Sequence, residues 1–148
     1  MDLKLLNNLM AGAKEVYPDN KILQQVVVTQ AIHESNFLGK SGGSQLALRY
    51  NNLFGIKGKG DAGSVLLPTW EHINGKDIQV KDNFAVYSSH AACMARHADL
   101  IHKPIYRRVL NAMSCPEAFK ALTGVWATDP KYYVKLQAIW EKYVKINY

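Results

Sequence analysis

One carboxylate of the chain is placed where a protein can use it as a general acid. Glu34 ends an apolar segment centred on residues 26–28, and Ser35 and Asn36 follow it directly. A carboxyl group can donate a proton near neutral pH only if it still holds one, which burial beside apolar side chains favours. A glycine-containing segment, NNLFGIK, follows at residues 51–57 and carries paired amides and an aromatic ring. Together the two segments indicate a proton-transfer site in a cleft.

Four ordered segments of the chain resemble the glucosaminidase family of glycoside hydrolase family 73, which includes the flagellar-rod muramidase domain and many bacterial and phage autolysins. The segments read AIHESNFLGKS at 31–41, NNLFGIK at 51–57, TWEHING at 69–75 with FAVYSS at 84–89, and WATDPKYYVKL at 126–136. Four motifs in order are far more specific than any one of them. The resemblance implies cleavage of β-1,4 glycosidic bonds between N-acetylglucosamine and N-acetylmuramic acid, by an endo-β-N-acetylglucosaminidase or a muramidase.

The resemblance assigns catalytic roles to three residues. Glu34 would protonate the glycosidic oxygen as the C–O bond breaks. Glu71 matches the acidic residue that serves as a second catalytic group, either as nucleophile or as base for water. Tyr132 matches the Tyr of the Asp-Pro-x-Tyr segment, and its hydroxyl would orient the substrate's 2-acetamido group for attack on C1. The alternatives are a solvated strand residue for Glu71 and a core ring with a wet hydroxyl for Tyr132.

Five further residues are candidate sugar contacts, because sugars present apolar faces to aromatic rings and hydroxyl edges to amides. They are Asn51, Asn52, Phe54, Trp70 and Trp126. Trp126 replaces the Tyr or Phe that is more usual in the family. Each of the five could equally be structural, and the two amides could mainly hold the turn that precedes the glycine-rich segment.

Helices must position these residues on both sides of a small β-lobe. Apolar spacing and capping residues predict helices over residues 2–16, 21–35, 88–102, 104–113, 115–122 and 131–145. Residues 36–52 read as loop because they are rich in Gly, Ser and Asn. Asn74-Gly75 predicts a hairpin turn inside a β-lobe at about residues 53–87. The fold class is therefore α+β, a mainly helical, lysozyme-like domain with a small antiparallel lobe.

Composition narrows the class of protein and of partner. The chain has 148 residues, of which 48% are hydrophobic, so we expect one domain over 1–148 and a monomer. Its net charge of +6 favours a polyanion such as the bacterial wall. No nucleic-acid motif, bilayer-spanning run or metal-ligand pattern is present, so we expect peptidoglycan as partner, no nucleic acid, no stable membrane insertion, no metal and no cofactor. Cys93 and Cys115 are expected to be free, buried thiols.

The first ten residues are too polar for the apolar core of a signal peptide. We therefore expect a protein made in the cytoplasm that acts on the cell wall after release, as a phage or prophage endolysin does. A virion-associated lysin and an autolysin fragment are the alternatives. For the activity itself, the alternatives are a lytic transglycosylase, a non-catalytic wall-binding domain and a basic nucleic-acid binder.

Overall fold

The computed structural model describes residues 1–148 and has the predicted α+β architecture. Seven helices surround one core, and a two-stranded sheet is inserted between the third and the fourth of them. The elements are α1 (Leu3–Val16), α2 (Lys21–Glu34), α3 (Gln45–Tyr50), β1 (Ser64–Ile73), β2 (Lys76–Ala85), α4 (His90–Ile101), α5 (Arg107–Leu110), α6 (Cys115–Leu122) and α7 (Tyr132–Ile139).

Helix α2 is the central element of the core. The side chain of Asn20 accepts a hydrogen bond from the Leu23 amide and starts the helix. Residues 26–28 are three consecutive valines, all fully buried. Valine favours strands, but the helices that pack around α2 bury these three side chains, and this burial outweighs the strand propensity. The helix therefore brings Glu34, its last residue, from the core to the surface.

The β-lobe is a single antiparallel hairpin. Asn74 and Gly75 form its turn with φ of 52° and 75°, the left-handed values that the sequence predicted. Each strand is ten residues long, and Pro68 lies inside β1 opposite Lys81. Proline is tolerated there because both strands of a two-stranded sheet are edge strands.

Three predictions about helices were wrong in detail. The helix expected over residues 104–113 is a 3₁₀ turn over Pro104–Tyr106 followed by α5, which ends at Leu110. Residues 36–52 contain α3, which the Gly, Ser and Asn around it concealed; Ser44 caps its start, and Asn51 ends it with a left-handed φ of 55°. The last helix is regular only through Ile139. It continues as a wider π-helical turn over Trp140–Val144 and a 3₁₀ turn over Lys145–Asn147.

The hydrophobic core is continuous and draws on nearly the whole chain, from Leu6 of α1 to Val144 near the end. Cys93 and Cys115 are both free and buried within it, as predicted. Burial raises the pKa of the Cys93 thiol to about 12 and that of Cys115 to about 11, so both stay protonated. None of the helices combines the length and the apolar character that crossing a bilayer requires.

Candidate active site

Glu34 is fixed at the point where α2 ends. Ser35 caps the helix, and its hydroxyl donates a hydrogen bond to the Leu53 carbonyl at 2.8 Å. Asn36 then takes a left-handed φ of 53°, which turns the chain away from the helix axis. The end of α2 is thereby tied to the NNLFGIK segment, and the side chain of Glu34 is left half-buried at the junction.

The Tyr132 hydroxyl donates a hydrogen bond of 2.6 Å to Oε1 of Glu34. Tyr132 begins α7 and is only 2% exposed. Burial, and secondly the charge of Glu34, raise the pKa of Tyr132 well above its ordinary value, so the hydroxyl keeps its proton. The sequence motif that ends in Tyr132 and the motif that contains Glu34 therefore meet. No protein group donates to the other carboxyl oxygen, Oε2.

A line of buried side chains continues inward from Tyr132. Gln30 Nε2 donates to the Tyr132 hydroxyl oxygen at 3.1 Å, and Gln30 Oε1 lies 2.7 Å from His97 Nε2. His97 Nδ1 in turn lies 3.0 Å from the Tyr17 hydroxyl. We call Tyr17, His97, Gln30, Tyr132 and Glu34 the buried chain. It links α4, α2 and α7 with the residue that follows α1.

His97 is neutral at the centre of this chain. It is fully buried, and desolvation lowers its pKa from 6.5 to about 3. The rings of Phe54 and Trp126 pack on it, with centroids 4.8 Å and 5.1 Å away. Trp126 also packs against Tyr106 at 5.9 Å. These rings keep water from the imidazole, which gives Phe54 and Trp126 a structural contact, and their contact with sugar stays a prediction.

Glu71 lies apart from the buried chain. It projects from β1 on the same face as Asp82 of β2, and Lys57 Nζ lies 3.3 Å from Glu71 Oε1 and 2.7 Å from Asp82 Oδ2. Glu71 makes no hydrogen bond to Glu34 or to Tyr132. The hydrogen bonds that Lys57 donates to Asp82, and secondly to Glu71, raise the pKa of Lys57, which therefore remains a cation. In this conformation the two predicted catalytic carboxylates are held by separate sets of partners.

The paired amides order the backbone. Asn51 Nδ2 donates to the Tyr87 carbonyl at 2.9 Å. Asn52 is 1% exposed; its Nδ2 donates to the Ile56 and Ala85 carbonyls, and its Oδ1 accepts from the Ile56 amide. Sugar contact by Asn52 would require this loop to open. Both residues therefore fit the alternative interpretation, in which they hold the turn.

Trp70 is the most open of the predicted sugar contacts. Its side chain is 68% exposed, and it alternates with Glu71 along β1, so the two side chains point to opposite faces of the hairpin. A groove of about 540 Å³ runs between α3 and the hairpin and is lined by residues that include Leu46, Gly55, Lys57, Thr69 and Trp70. Lys57 connects this groove with Glu71.

Three members of the buried chain, Gln30, His97 and Tyr17, were not predicted from the sequence. Two signals were available. Gln30 precedes Glu34 by four residues and so shares its helical face. His97 lies four residues from both Cys93 and Ile101 on the apolar face of α4, which predicts burial of the imidazole.

Residues 10–145 match the model of the Glucosaminidase family, which is described as mannosyl-glycoprotein endo-beta-N-acetylglucosaminidase. Exo-glucosaminidase LytG of Bacillus subtilis is 37% identical over 93% of this chain and 50% of its own length. A probable N-acetylmuramidase of Lactococcus lactis subsp. cremoris is 35% identical over 93% of this chain and 33% of its own length. The chain thus spans about half or less of these relatives.

A solved structure confirms the fold. The catalytic domain of the autolysin Auto from Listeria monocytogenes superposes with a TM-score of 0.84 at 30% identity, over 95% of this chain and 82% of that one. The four ordered sequence motifs, the helical core with its hairpin and the match over residues 10–145 agree. The chain belongs to the glucosaminidase family, glycoside hydrolase family 73.

Proposed function

We propose that residues 1–148 act as one domain that hydrolyses the β-1,4 glycosidic bonds of peptidoglycan glycan strands, with Glu34 as the general acid. The observation that carries the proposal is the Glu34–Tyr132 pair. One carboxyl oxygen of Glu34 accepts the 2.6 Å hydrogen bond from Tyr132, and the other has no protein partner. A carboxyl group held in this way can present a proton on its free oxygen in a defined direction.

The reaction needs a proton on the leaving oxygen and an electron pair at C1. Glu34 gives its proton to the glycosidic oxygen while the bond from that oxygen to C1 breaks, and the sugar ring develops positive charge. Water then adds to C1 and gives a proton back to Glu34, so that each cleavage leaves one new reducing end and one new non-reducing end and the acid is restored. Tyr132 keeps Oε1 of Glu34 in place through both steps.

Glu71 is proposed as the second carboxylate, although it is held by Lys57 in the free protein. Lys57 and Glu71 side chains are 55% and 37% exposed, and ion pairs as exposed as this one are weak. A glycan strand in the groove would meet Trp70, Lys57 and Thr69 first. We propose that binding moves the hairpin towards Glu34, where Glu71 activates water or stabilises the charge at C1.

The two relatives are named for different sugars, glucosamine and muramic acid, so both types of β-1,4 bond of the glycan strand are candidate cleavage points. The buried chain is complete within one protein chain, which supports a monomer as the acting form. The site of action that fits this substrate is the bacterial cell wall, as the name of the related Enterococcus faecalis autolysin also indicates.

Mass spectrometry of products from purified peptidoglycan tests the proposal. We expect new reducing ends that carry N-acetylglucosamine or N-acetylmuramic acid and that incorporate oxygen from labelled water. Products that end in anhydro-muramic acid without labelled oxygen would instead establish a lytic transglycosylase, which needs one acid and so is favoured by the separation of Glu71 from Glu34 in the free protein. Intact glycan strands would overturn both activities.

A further inference from the structure

We propose that Gln30 and His97 are positioning residues for the reaction, because they fix the hydroxyl of Tyr132 so that its proton always points to Glu34. This role rests on the function proposed for Glu34. Neither residue touches the reacting atoms. Each acts through its neighbour in the buried chain, which runs from Tyr17 to the half-buried side chain of Glu34.

The hydrogen bonds of the buried chain all run in one direction. Tyr132 can donate only one proton, and Gln30 Nε2 occupies its oxygen as a donor at 3.1 Å. With a donor on one side, the hydroxyl proton of Tyr132 is left for the acceptor on the other side, Oε1 of Glu34 at 2.6 Å. If the Gln30 amide were reversed, Tyr132 would face an acceptor on both sides and its proton could leave Glu34.

His97 prevents that reversal. A neutral imidazole carries one proton. We assign Nδ1, which lies 3.0 Å from the Tyr17 hydroxyl, as the acceptor of that hydroxyl's proton, and this assignment places the imidazole proton on Nε2. Nε2 then donates to Gln30 Oε1 at 2.7 Å and holds the amide with its nitrogen towards Tyr132. In the opposite direction the Tyr17 proton would lack its acceptor, whereas in this direction each of the four hydrogen bonds of the buried chain has one donor and one acceptor.

The surroundings of Tyr132 supply few competing charges. The titratable groups that face it are Glu34 and His33 of α2, Tyr106 of the 3₁₀ turn before α5, and, through Gln30, His97 of α4. The His33 ring meets the Tyr132 ring edge-on at 5.6 Å and makes no hydrogen bond to its hydroxyl. The direction of the Tyr132 proton therefore depends on the buried chain.

A double-mutant cycle between Gln30 and Tyr132 tests the proposal. Gln30→Met keeps the volume of the side chain and removes both polar ends. We expect kcat on purified, uncrosslinked peptidoglycan strands to fall about tenfold, and KM to change less than about twofold. The pH–rate profile should also differ from that of the wild type on its alkaline limb, which reports the acid of the reaction.

In the Tyr132→Phe background, Gln30→Met should change neither kcat nor the alkaline limb any further, because the hydroxyl through which Gln30 acts is gone. Gln25→Met is the matched control. Gln25 lies on the same helix and loses two hydrogen bonds, to Lys21 and to Trp140, yet it does not belong to the buried chain. We expect its kcat and pH profile to equal those of the wild type.

A pair of His97 variants keeps the proposal testable if Gln30→Met does not fold. His97→Gln retains an amide nitrogen that can donate to Gln30, whereas His97→Met retains none. The first variant should therefore keep a kcat about tenfold above the second, with circular dichroism and melting used to compare only folded proteins.

Two results would overturn the proposal. The first is a double variant in which the separate losses of kcat caused by Gln30→Met and by Tyr132→Phe multiply. The other is equal kcat and equal pH profiles for the two His97 variants. The proposed function fails separately, through a Glu34→Gln variant that still cleaves peptidoglycan, so the two failures are distinguishable.

Discussion

The helical core and the β-hairpin hold their carboxylates by different means. Glu34 ends a helix that is buried on every side, and its partner is the neutral hydroxyl of Tyr132 at 2.6 Å. Glu71 lies on a hairpin whose tip, residues 72–79, is exposed throughout, and its partner is the ammonium group of Lys57 at 3.3 Å. The first arrangement draws on buried, neutral hydrogen bonds. The second draws on an ion pair in contact with water.

This difference matches two chemical tasks. A neutral donor can hold a carboxyl group in either protonation state, which suits a group that must gain and lose a proton during each turnover. A cation holds only the ionised form, which suits a base or a stabiliser of positive charge. The hairpin also buries few side chains beyond its base, so it can move with little loss of packing. The helical core cannot move in this way, because Glu34 is held by a line of four buried residues, Tyr132, Gln30, His97 and Tyr17.

The largest effect on the rate is expected for Glu34, the carboxylate that the helical core holds. Glu34→Gln should lower the rate on purified peptidoglycan on the order of a thousandfold or more, because the amide has no proton to give. Circular dichroism should show an unchanged fold, since the side chain is only half-buried. A rate within tenfold of the wild type would remove Glu34 from the mechanism.

On the hairpin side, Glu71→Gln should lower the rate about a hundredfold, within the range typical of a general base or charge stabiliser. Melting should be almost unchanged because the side chain is partly exposed and its ion pair is screened. The measurement is the initial rate on one defined muropeptide chain. A wild-type rate would show that Glu34 works without the hairpin carboxylate.

Tyr132→Phe should cost about tenfold in rate, less than either carboxylate variant, because it removes one hydrogen bond to Glu34 and leaves the acid itself. The order of the rate losses separates this role from the alternative. A role in polarising the acetamido group would make Tyr132→Phe more severe than Glu71→Gln, and that order of effects would contradict the present assignment.

The smallest expected effect concerns the stability of the core. Burial lowers the pKa of His97 to about 3, whereas the unfolded chain would titrate near 6.5, so below pH 6.5 only the unfolded state takes up this proton. The free energy of unfolding should therefore fall as pH drops from 6.5 towards 3, by on the order of 1 kcal/mol per pH unit. His90, whose pKa burial also lowers, adds a contribution of the same sign.

Urea unfolding between pH 7 and 5 measures this slope before most carboxylates titrate. In the variant His97→Gln, the free energy of unfolding should depend less steeply on pH, because the contribution of His97 to this slope is gone. An equal slope in the variant and the wild type would mean that His97 is not buried in neutral form.

Local chemistry predicted much of the fold. Asn74-Gly75 fixed the hairpin turn, and Ser89 predicted the start of α4. Helix α3 was missed because Gly, Ser and Asn around it resemble a loop, although Ser44 and Asn51 cap it at both ends. The motifs brought Glu34 and Tyr132 to attention, and their catalytic roles stay predictions. The buried chain was not predicted, because its contacts are between residues far apart in sequence. Tyr17 and His97 are separated by 80 positions and Gln30 and Tyr132 by 102, and helical periodicity relates only residues a few positions apart.

The dependence of the Glu34→Gln rate on the leaving group tests the central claim most directly. A general acid is needed when the leaving oxygen is a sugar alkoxide and is dispensable when it is a nitrophenolate, which leaves without a proton. On glycan chains of N-acetylglucosamine the variant should therefore lose on the order of a thousandfold, and on the matching nitrophenyl glycosides less than about tenfold. An equal loss on both substrates would contradict the assignment of Glu34 as the proton donor.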